Sequence, residues 1–372
     1  MESENLGEEQ RTKKVIYLYM RQDDEKYMRR CFQLAEMGQG YTAPNPMVGA
    51  VIVHKGRIIG EGYHRQCGGP HAEVNAVNSV KEQDLPLLKE STIYVSLEPC
   101  SHWGKTPPCA KLLIDKKIPH VVVACGDPFP EVAGRGLQML REAGATVETG
   151  VLEAEGWELN RRFFTFHTQK RPYIILKWAQ TSNGYMGTSD GKPINISTPE
   201  SLVLVHQMRA QESGILVGTN TAVNDNPSLT VRDYYGKQPL RIAIDRHLRI
   251  PATHHLLDGS VPTLIFCEEL PTDTKENVNY VKAPFGADGI DLQFLLNELY
   301  NQKVQSLIVE GGSMLLQSFI DQRLYDEMRV ETNATLSIDN GIKAPKACGK
   351  IVEQFNVGNN IVVRYRTKND KP

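Results

Sequence analysis

The stretch Gly69-Pro70-His71-Ala72-Glu73-Val74-Asn75-Ala76, answered further on by Leu97-Glu98-Pro99-Cys100 and then by Cys109, organises this chain. A His, a Glu one residue removed from it and two thiols supply a three-ligand zinc site with an acid/base group beside it. Hydrolytic deamination of an amidine-like ring requires that set. Zinc in a hydrolytic site takes three protein ligands and leaves a fourth position to water, whose pKa falls toward neutrality. His71, Cys100 and Cys109 fill the three positions. Glu73 is then better used as the proton carrier between that water and the departing amine than as a further ligand. A lone Cys more often packs in a core, and Cys31, Cys67, Cys125, Cys267 and Cys348 are read that way. Were Cys67 instead to complete a four-ligand site, the zinc would be structural and Glu73 would have no task.

Working outward, Gly68-Gly69-Pro70 stops the chain just before His71, and Val74, Ala76, Val77 and Val80 suit a helix beginning there. Upstream, Met28, Cys31, Phe32 and Ala35 recur at helical spacing from about Asp24. Tyr41 to Pro46 is a turn by composition, Met47 to Val53 a buried strand, and His54-Lys55-Gly56-Arg57 the turn of a hairpin into Ile58-Ile59-Gly60. Thr92 to Leu97 and His120 to Cys125 read as strands followed by helical stretches, so the first half is a layered β-α domain.

Composition narrows the function classes. At 372 residues the chain exceeds one ordinary core, and two domains are expected. The formal charge of -2 gives no global basic field, so nucleic acid is a poor partner, although a small phosphorylated substrate needs only a local patch. The 7 cysteines are odd in number and scattered, which argues against a disulfide framework and for the cytoplasm. The longest apolar runs are strand-sized, short of the roughly twenty residues that cross a bilayer, so no membrane partner is expected. Residues 1–22 read as a loose polar tail, 23–151 as the first domain, 152–171 as a connector carrying Trp157, Leu159, Phe163 and Phe164, and 172–372 as the second domain.

In the second domain, strands are expected at Tyr173 to Lys177, Gly214 to Gly218, Leu240 to Ile244, Thr263 to Cys267, Ser306 to Val309 and Glu327 to Thr332, with helices around Glu200 to Arg209 and Met314 to Ile320. Two strand-to-turn segments, Ile215 to Thr221 and Leu307-Ile308-Val309-Glu310-Gly311-Gly312-Ser313, offer backbone amides to a nucleotide. Neither is a G-x-G-x-x-G fingerprint, and spacing alone leaves them structural as readily as functional. Past Leu336 one edge strand is expected at Ile361 to Arg364.

His-x-Glu followed by two cysteines is the general zinc-deaminase signature, usually with two residues between the thiols. Here residues 101–108 intervene. With Gly40-Tyr41-Thr42-Ala43-Pro44-Asn45-Pro46-Met47-Val48-Gly49-Ala50, Gly60-Glu61-Gly62-Tyr63-His64, the His71 stretch and Leu97-Glu98-Pro99-Cys100-Ser101-His102-Trp103-Gly104-Lys105-Thr106-Pro107-Pro108-Cys109, the chain resembles the deaminase half of the bifunctional riboflavin-biosynthesis deaminase-reductases. Leu176-Lys177-Trp178-Ala179, Arg209-Ala210, Val217 to Thr221, Asp225 to Arg232, Asp245 to Pro251 and Val309-Glu310-Gly311-Gly312 are similar to the reductase half. The resemblance implies a cytidine-deaminase-like α/β/α domain followed by a dihydrofolate-reductase-like α/β domain. It implies that Asn45, His64, His102 and Lys105 contact a pyrimidinone bearing amino groups and a ribose phosphate. It also implies NADPH as hydride donor, Arg209, Leu229, Arg232 and Glu310 at the substrate, Lys177 beside the reacting carbon, and Ala179, Thr221, Asp225, Gly311 and Gly312 along the cofactor. A homo-oligomer is expected. Two departures stand out: Asn183, where the family usually has Asp, and Asn195, aligned with a usual Trp. The other readings are a deaminase with a degenerate reductase, a nucleic-acid-editing zinc deaminase, and a non-enzymatic protein with structural zinc.

Overall fold

A computed structural model describes residues 22–103, 107–129, 133–190 and 194–367. The chain forms two compact units that divide between Thr168 and Gln169. Among the described residues, no helix is long and apolar enough to cross a membrane.

The first unit opens with helix α1, residues 22–36, and continues through β1 (Gly49–His54), β2 (Arg57–Tyr63), α2 (Ala72–Asn78), a 3-10 segment (Glu82–Glu90), β3 (Thr92–Leu97), α3 (Cys109–Asp115), β4 (His120–Cys125), α4 (Arg135–Glu142), β5 (Thr146–Thr149), α5 (Glu153–Leu159) and α6 (Arg161–Gln169). The sheet order is β2-β1-β3-β4-β5. β1 runs antiparallel to β2 and β3, while β3, β4 and β5 are parallel. Side chains alternate across the sheet. Ala50, Ile52, Ile93, Val95, Val121 and Val123 meet α2, α3 and α4 on one face, while Val51, Val53, Tyr94, Val122 and Ala124 meet α1, α5 and α6 on the other. Burial on both faces is why these strands read as unbroken apolar runs.

The stretch expected as a connector contributes its aromatic face to this second layer. Leu159, Phe163 and Phe164 pack with Tyr27, Met28 and Phe32 of α1, and Trp157 stacks on Phe164 with centroids 3.9 Å apart. Of the cysteines read as packing residues, Cys31, Cys125 and Cys267 are buried, but Cys67 and Cys348 are exposed. Cys67 lies on the turn before Pro70, and the Cys348 thiol meets the Tyr325 hydroxyl at 3.0 Å.

The second unit contains β6 (Tyr173–Thr181), β7 (Tyr185–Thr188), α7 (Pro199–Gln211), β8 (Gly214–Val217), α8 (Thr219–Asp225), β9 (Leu240–Ile244), β10 (Thr263–Cys267), β11 (Val278–Lys282), the short ladder β12 (Phe285–Gly286) and β13 (Gly289–Ile290), α9 (Leu292–Asn301), β14 (Ser306–Glu310), α10 (Ser313–Asp321), β15 (Glu327–Asn333), β16 (Gly341–Lys343), β17 (Lys350–Val357) and β18 (Asn360–Arg366). Nine strands form one sheet in the order β11-β10-β9-β8-β14-β6-β15-β18-β17. It is parallel through β15 and antiparallel at β18 and β17. Ile174, Leu176 and Trp178 face α9 and α10; Tyr173 and Ile175 face the layer of Met208 and Ala222, on α7 and α8.

The expected edge strand at Ile361 to Arg364 is not at the edge. β18 lies one strand inside, covered by β17, whose residues are mostly exposed. Exposure on both faces erases the period-2 signal, so β17 was not visible in the sequence. Where β6 meets β15, Arg171 donates from Nη1 and Nη2 to Asp326 at 2.6 and 2.7 Å, and the Ile174 amide donates to the same carboxylate at 2.8 Å. Removing one partner of a buried, hydrogen-bonded pair strands the other, so Asp326→Ala is expected to destabilise the second unit by about 3 kcal/mol in urea unfolding.

Candidate active sites

The first site gathers at helix starts and strand ends. His71 is the N-cap of α2, placing Glu73 in its first turn; Cys100 follows β3, and Cys109 opens α3. The His71 Nδ1 lies 3.5 Å from the Cys100 Sγ and 3.3 Å from the Cys109 Sγ. The three ligand atoms all lie within 4.8 Å of one another, and Cys67 is not among them. A tetrahedral zinc with its usual bond lengths spans ligand edges of about 3.5 Å, so the donor set fits the ion. The Cys109 amide donates to the Cys100 sulfur at 3.3 Å, and a helix start favours thiolate there. Hydrogen bonding with Cys109 and His71 holds the Cys100 thiol well below its ordinary value, whereas its hydrogen bond with Cys100, together with burial, pushes the Cys109 thiol up. The hydrogen bond with Cys100 raises the His71 imidazole. Glu73 is 3 % exposed, and burial pushes its carboxyl up to about 7, poised for proton transfer near neutrality.

Asn45 and His64 come to the same place. The His64 ring stands edge-on to His71 with centroids 5.5 Å apart. Its Nδ1 lies 3.0 Å from the Pro70 carbonyl, which only accepts, so Nδ1 carries the proton. Burial holds the ring's pKa down, so the ring is neutral, and Nε2 accepts from the Asn45 amide at 3.1 Å. Both ring nitrogens are thereby engaged. His102 is exposed on the loop after Cys100, and Lys105 lies outside the described residues.

Glu98 carries a part that the sequence did not disclose. Its buried carboxylate accepts from the Asp127, Gly134 and Gly136 amides at 3.3, 2.9 and 3.1 Å, which ties the Pro99-Cys100 turn to the start of α4. Gly136 is required there, because a Cβ would stand 1.9 Å from the Pro99 carbonyl oxygen. The one clue in the sequence was an acid placed directly before a Pro-Cys ligand.

The second site is a cleft of about 340 Å³ at the carboxyl ends of β6, β8 and β14. Lys177, Ala179, Arg209, Thr221, Asp225, Leu229, Glu310 and Gly311 all line it, as does Asn195. The two glycine-bearing turns touch: a Cβ on Gly311, whose φ is +78°, would come 2.8 Å from Thr221. Gly312, the N-cap of α10, and Arg232 are not among the lining residues. Arg232 instead hydrogen-bonds Ser228 and, at 3.2 Å, Thr230 of its own loop, and His206 Nδ1 accepts its amide at 3.1 Å. Asn183, the other departure, is not among the lining residues. Its amide donates to the Ile338 carbonyl at 2.7 Å, a bond that an ionised Asp could not make.

Glu310 is the electrostatic centre of the cleft. Arg209 Nη2 donates to its Oε2 at 2.8 Å, and Lys177 Nζ stands 3.7 Å from its Oε1. Burial raises its pKa, but Arg209 and Lys177 outweigh burial and hold the carboxyl at about 2. Depression of a carboxyl stabilises the fold above the unperturbed value of 4.5 and is lost as pH falls toward about 2. The thermal stability of wild type relative to Glu310→Gln is therefore expected to be greatest near neutrality and to shrink as melting curves are recorded from pH 5 down to about pH 3.

Comparison with known proteins follows the same division. Residues 21–125 match the model of the cytidine and deoxycytidylate deaminase zinc-binding region, and residues 172–336 match that of the RibD C-terminal domain. The riboflavin biosynthesis protein RibD of Aquifex aeolicus is 38 % identical over 357 residues, covering 93 % of this chain and 99 % of that protein. RibD of Escherichia coli is 37 % identical over 321 residues, covering 82 % of this chain and 86 % of that one. Among solved structures, the diaminohydroxyphosphoribosylaminopyrimidine deaminase/5-amino-6-(5-phosphoribosylamino)uracil reductase of Thermotoga maritima superposes with a TM-score of 0.85 at 32 % identity, covering 94 % of this chain and 99 % of that chain. With both domains matched in one order, and relatives this similar along nearly their whole length, the chain belongs to the RibD family of riboflavin biosynthesis proteins.

Proposed function

We propose the following division of labour between the residues of a bifunctional riboflavin-biosynthesis enzyme. The first unit deaminates a diaminopyrimidinone ribose phosphate, and the second reduces the ribosyl side chain of the product to ribityl. His71 Nδ1, Cys100 Sγ and Cys109 Sγ would hold zinc, which when bound would supply a water of lowered pKa as nucleophile. Glu73 would serve as the proton carrier between the attacking water and the departing ammonia, with a carboxyl whose pKa sits near the working pH. Asn45 binds the ring, oriented by neutral His64. His102 and Lys105 complete the substrate contacts.

In the second unit, NADPH, when bound, would be the donor of hydride to the ribose carbon. Ala179, Thr221, Asp225, Gly311 and Gly312 hold the cofactor. Arg209, Leu229, Arg232 and Glu310 hold the substrate, with Lys177 beside the reacting carbon. Glu310 holds Arg209 and Lys177 in place inside the cleft. The observation that carries the reading is that His71, Cys100 and Cys109 meet in the first unit, while Lys177, Ala179, Arg209, Thr221, Asp225, Leu229, Glu310 and Gly311 line one cleft in the second.

The partner is thus a small phosphorylated pyrimidine rather than nucleic acid, consistent with the near-zero net charge. The cytoplasm and a homo-oligomeric state belong to the same proposal. The exposed edge strand β17, with Ile351 and Val352 on its surface, offers backbone for pairing with a second copy.

Glu73→Gln is expected to retain its zinc, measured by atomic absorption, while ammonia release falls by about a hundredfold or more. Normal ammonia release from that variant would remove the proton-carrier role. Chelation of the metal is expected to stop ammonia release from the pyrimidine while leaving NADPH oxidation on pre-deaminated product intact. Ammonia release from an RNA would favour the nucleic-acid-editing reading instead.

A further inference from the structure

We propose that Asn360 and Glu331, with Asn333, act as positioning residues for the NADPH site, by fixing the wall of the reductase cleft formed by residues 194–197. This rests on reading that cleft as the cofactor site. Ile194, Asn195, Ile196 and Ser197 line it, and they lie in irregular chain. The hold comes from β15 and β18. The Ile196 carbonyl accepts from the Asn333 amide at 2.9 Å and from the Asn360 amide at 3.1 Å. The Ser197 hydroxyl donates to the Glu331 carboxylate at 2.9 Å, and Ser201, in the first turn of α7, donates to the same carboxylate at 2.5 Å.

The chemistry specifies the arrangement. Asn360 is 0 % exposed, and its amide nitrogen faces the Ile196 carbonyl and the Glu331 carboxylate, both of which only accept, so the amide orientation is not interchangeable. Its Oδ1 is left buried without a hydrogen-bond partner. That is a cost in stability, and a side chain chosen for stability alone would not incur it. Buried Glu331 accepts from two serine hydroxyls and from this amide. In the sheet, Glu331 stands opposite Ala179 and Asn333 opposite Thr181, so the latch holds the wall at the level of Ala179, one of the residues assigned to the cofactor. Asn360 lies on β18, beyond the residues that match the RibD C-terminal domain model. The C-terminal hairpin thereby becomes part of the reductase site.

The test uses the full chain, whose deaminase is an internal control. Asn360→Leu removes both donated bonds without adding charge. Its Kd for NADPH, read by quenching of tryptophan fluorescence with Trp178 lining the cleft, and its KM for NADPH are expected to rise about tenfold. Its kcat and its ammonia release should stay within about twofold of wild type. Ser197→Ala, a milder cut in the same latch, should raise the KM less, and the double variant should show less than the sum of the two effects, because both act through one loop. An unchanged NADPH KM in Asn360→Leu would overturn the proposal. So would a joint fall of kcat and ammonia release at constant KM, the mark of a merely structural role, or strict additivity in the double variant. If wild type itself fails to oxidise NADPH with the deaminated product, the reading of the cleft fails, and the latch with it.

Discussion

Three ligand atoms can share one metal only if the chain brings them within bonding distance of a single point and holds them there against their own desolvation. In the first unit that constraint is met by a helix N-cap, a strand end and a second helix start. His71 Nδ1 lies between the two thiols at 3.3 and 3.5 Å, and the Cys109 amide is turned on the Cys100 sulfur. Everything around the site serves that placement. Glu98 pins the turn carrying Cys100 by accepting from two amides at the start of α4 and from that of Asp127, after β4. Pro70, the residue before His71, is held by His64, which in turn aims Asn45. The same burial that makes the ligands costly gives Glu73 a carboxyl that can both accept and return a proton near neutral pH.

The second unit solves a different problem with the same architectural rule. Parallel strands deliver their carboxyl ends to one edge, and the turns that follow them form the crevice. Lys177, Glu310 and Arg209 arrive from β6, β14 and α7. Neither cation is placed for packing; each is drawn in by a carboxylate that is buried and would be expensive if left alone. A cluster of this kind is rigid and charged before any ligand enters, which suits a site that must receive a phosphorylated sugar and a nucleotide in a fixed relation.

The two sites differ in chemistry and share no residue. The first gathers two thiols, an imidazole and a carboxyl of raised pKa. The second gathers a carboxyl of depressed pKa and the cations that depress it. The opposite shifts come from opposite surroundings: Glu73 has burial and a neighbouring thiolate, whereas Glu310 has burial answered by Arg209 and Lys177.

Read alone, the sequence singled out His71, Cys100 and Cys109, which the structure brings together, and most strands and helices. Those depend on short-range order: residue type, spacing, apolar period and turn residues, all written locally. The eight residues between Cys100 and Cys109 also narrowed the substrate, through resemblance. Tertiary structure alone decided where Glu153 to His167 belongs, since an aromatic face does not name its partner. It alone placed β17 outside β18, because an edge strand exposed on both sides carries no periodic signal. It alone brought Lys177, Arg209 and Glu310, far apart in sequence, to one cleft. And it alone joined Asn333 and Asn360 to the carbonyl of Ile196, since hydrogen bonds across a sheet between residues more than a hundred positions apart leave no trace in local sequence.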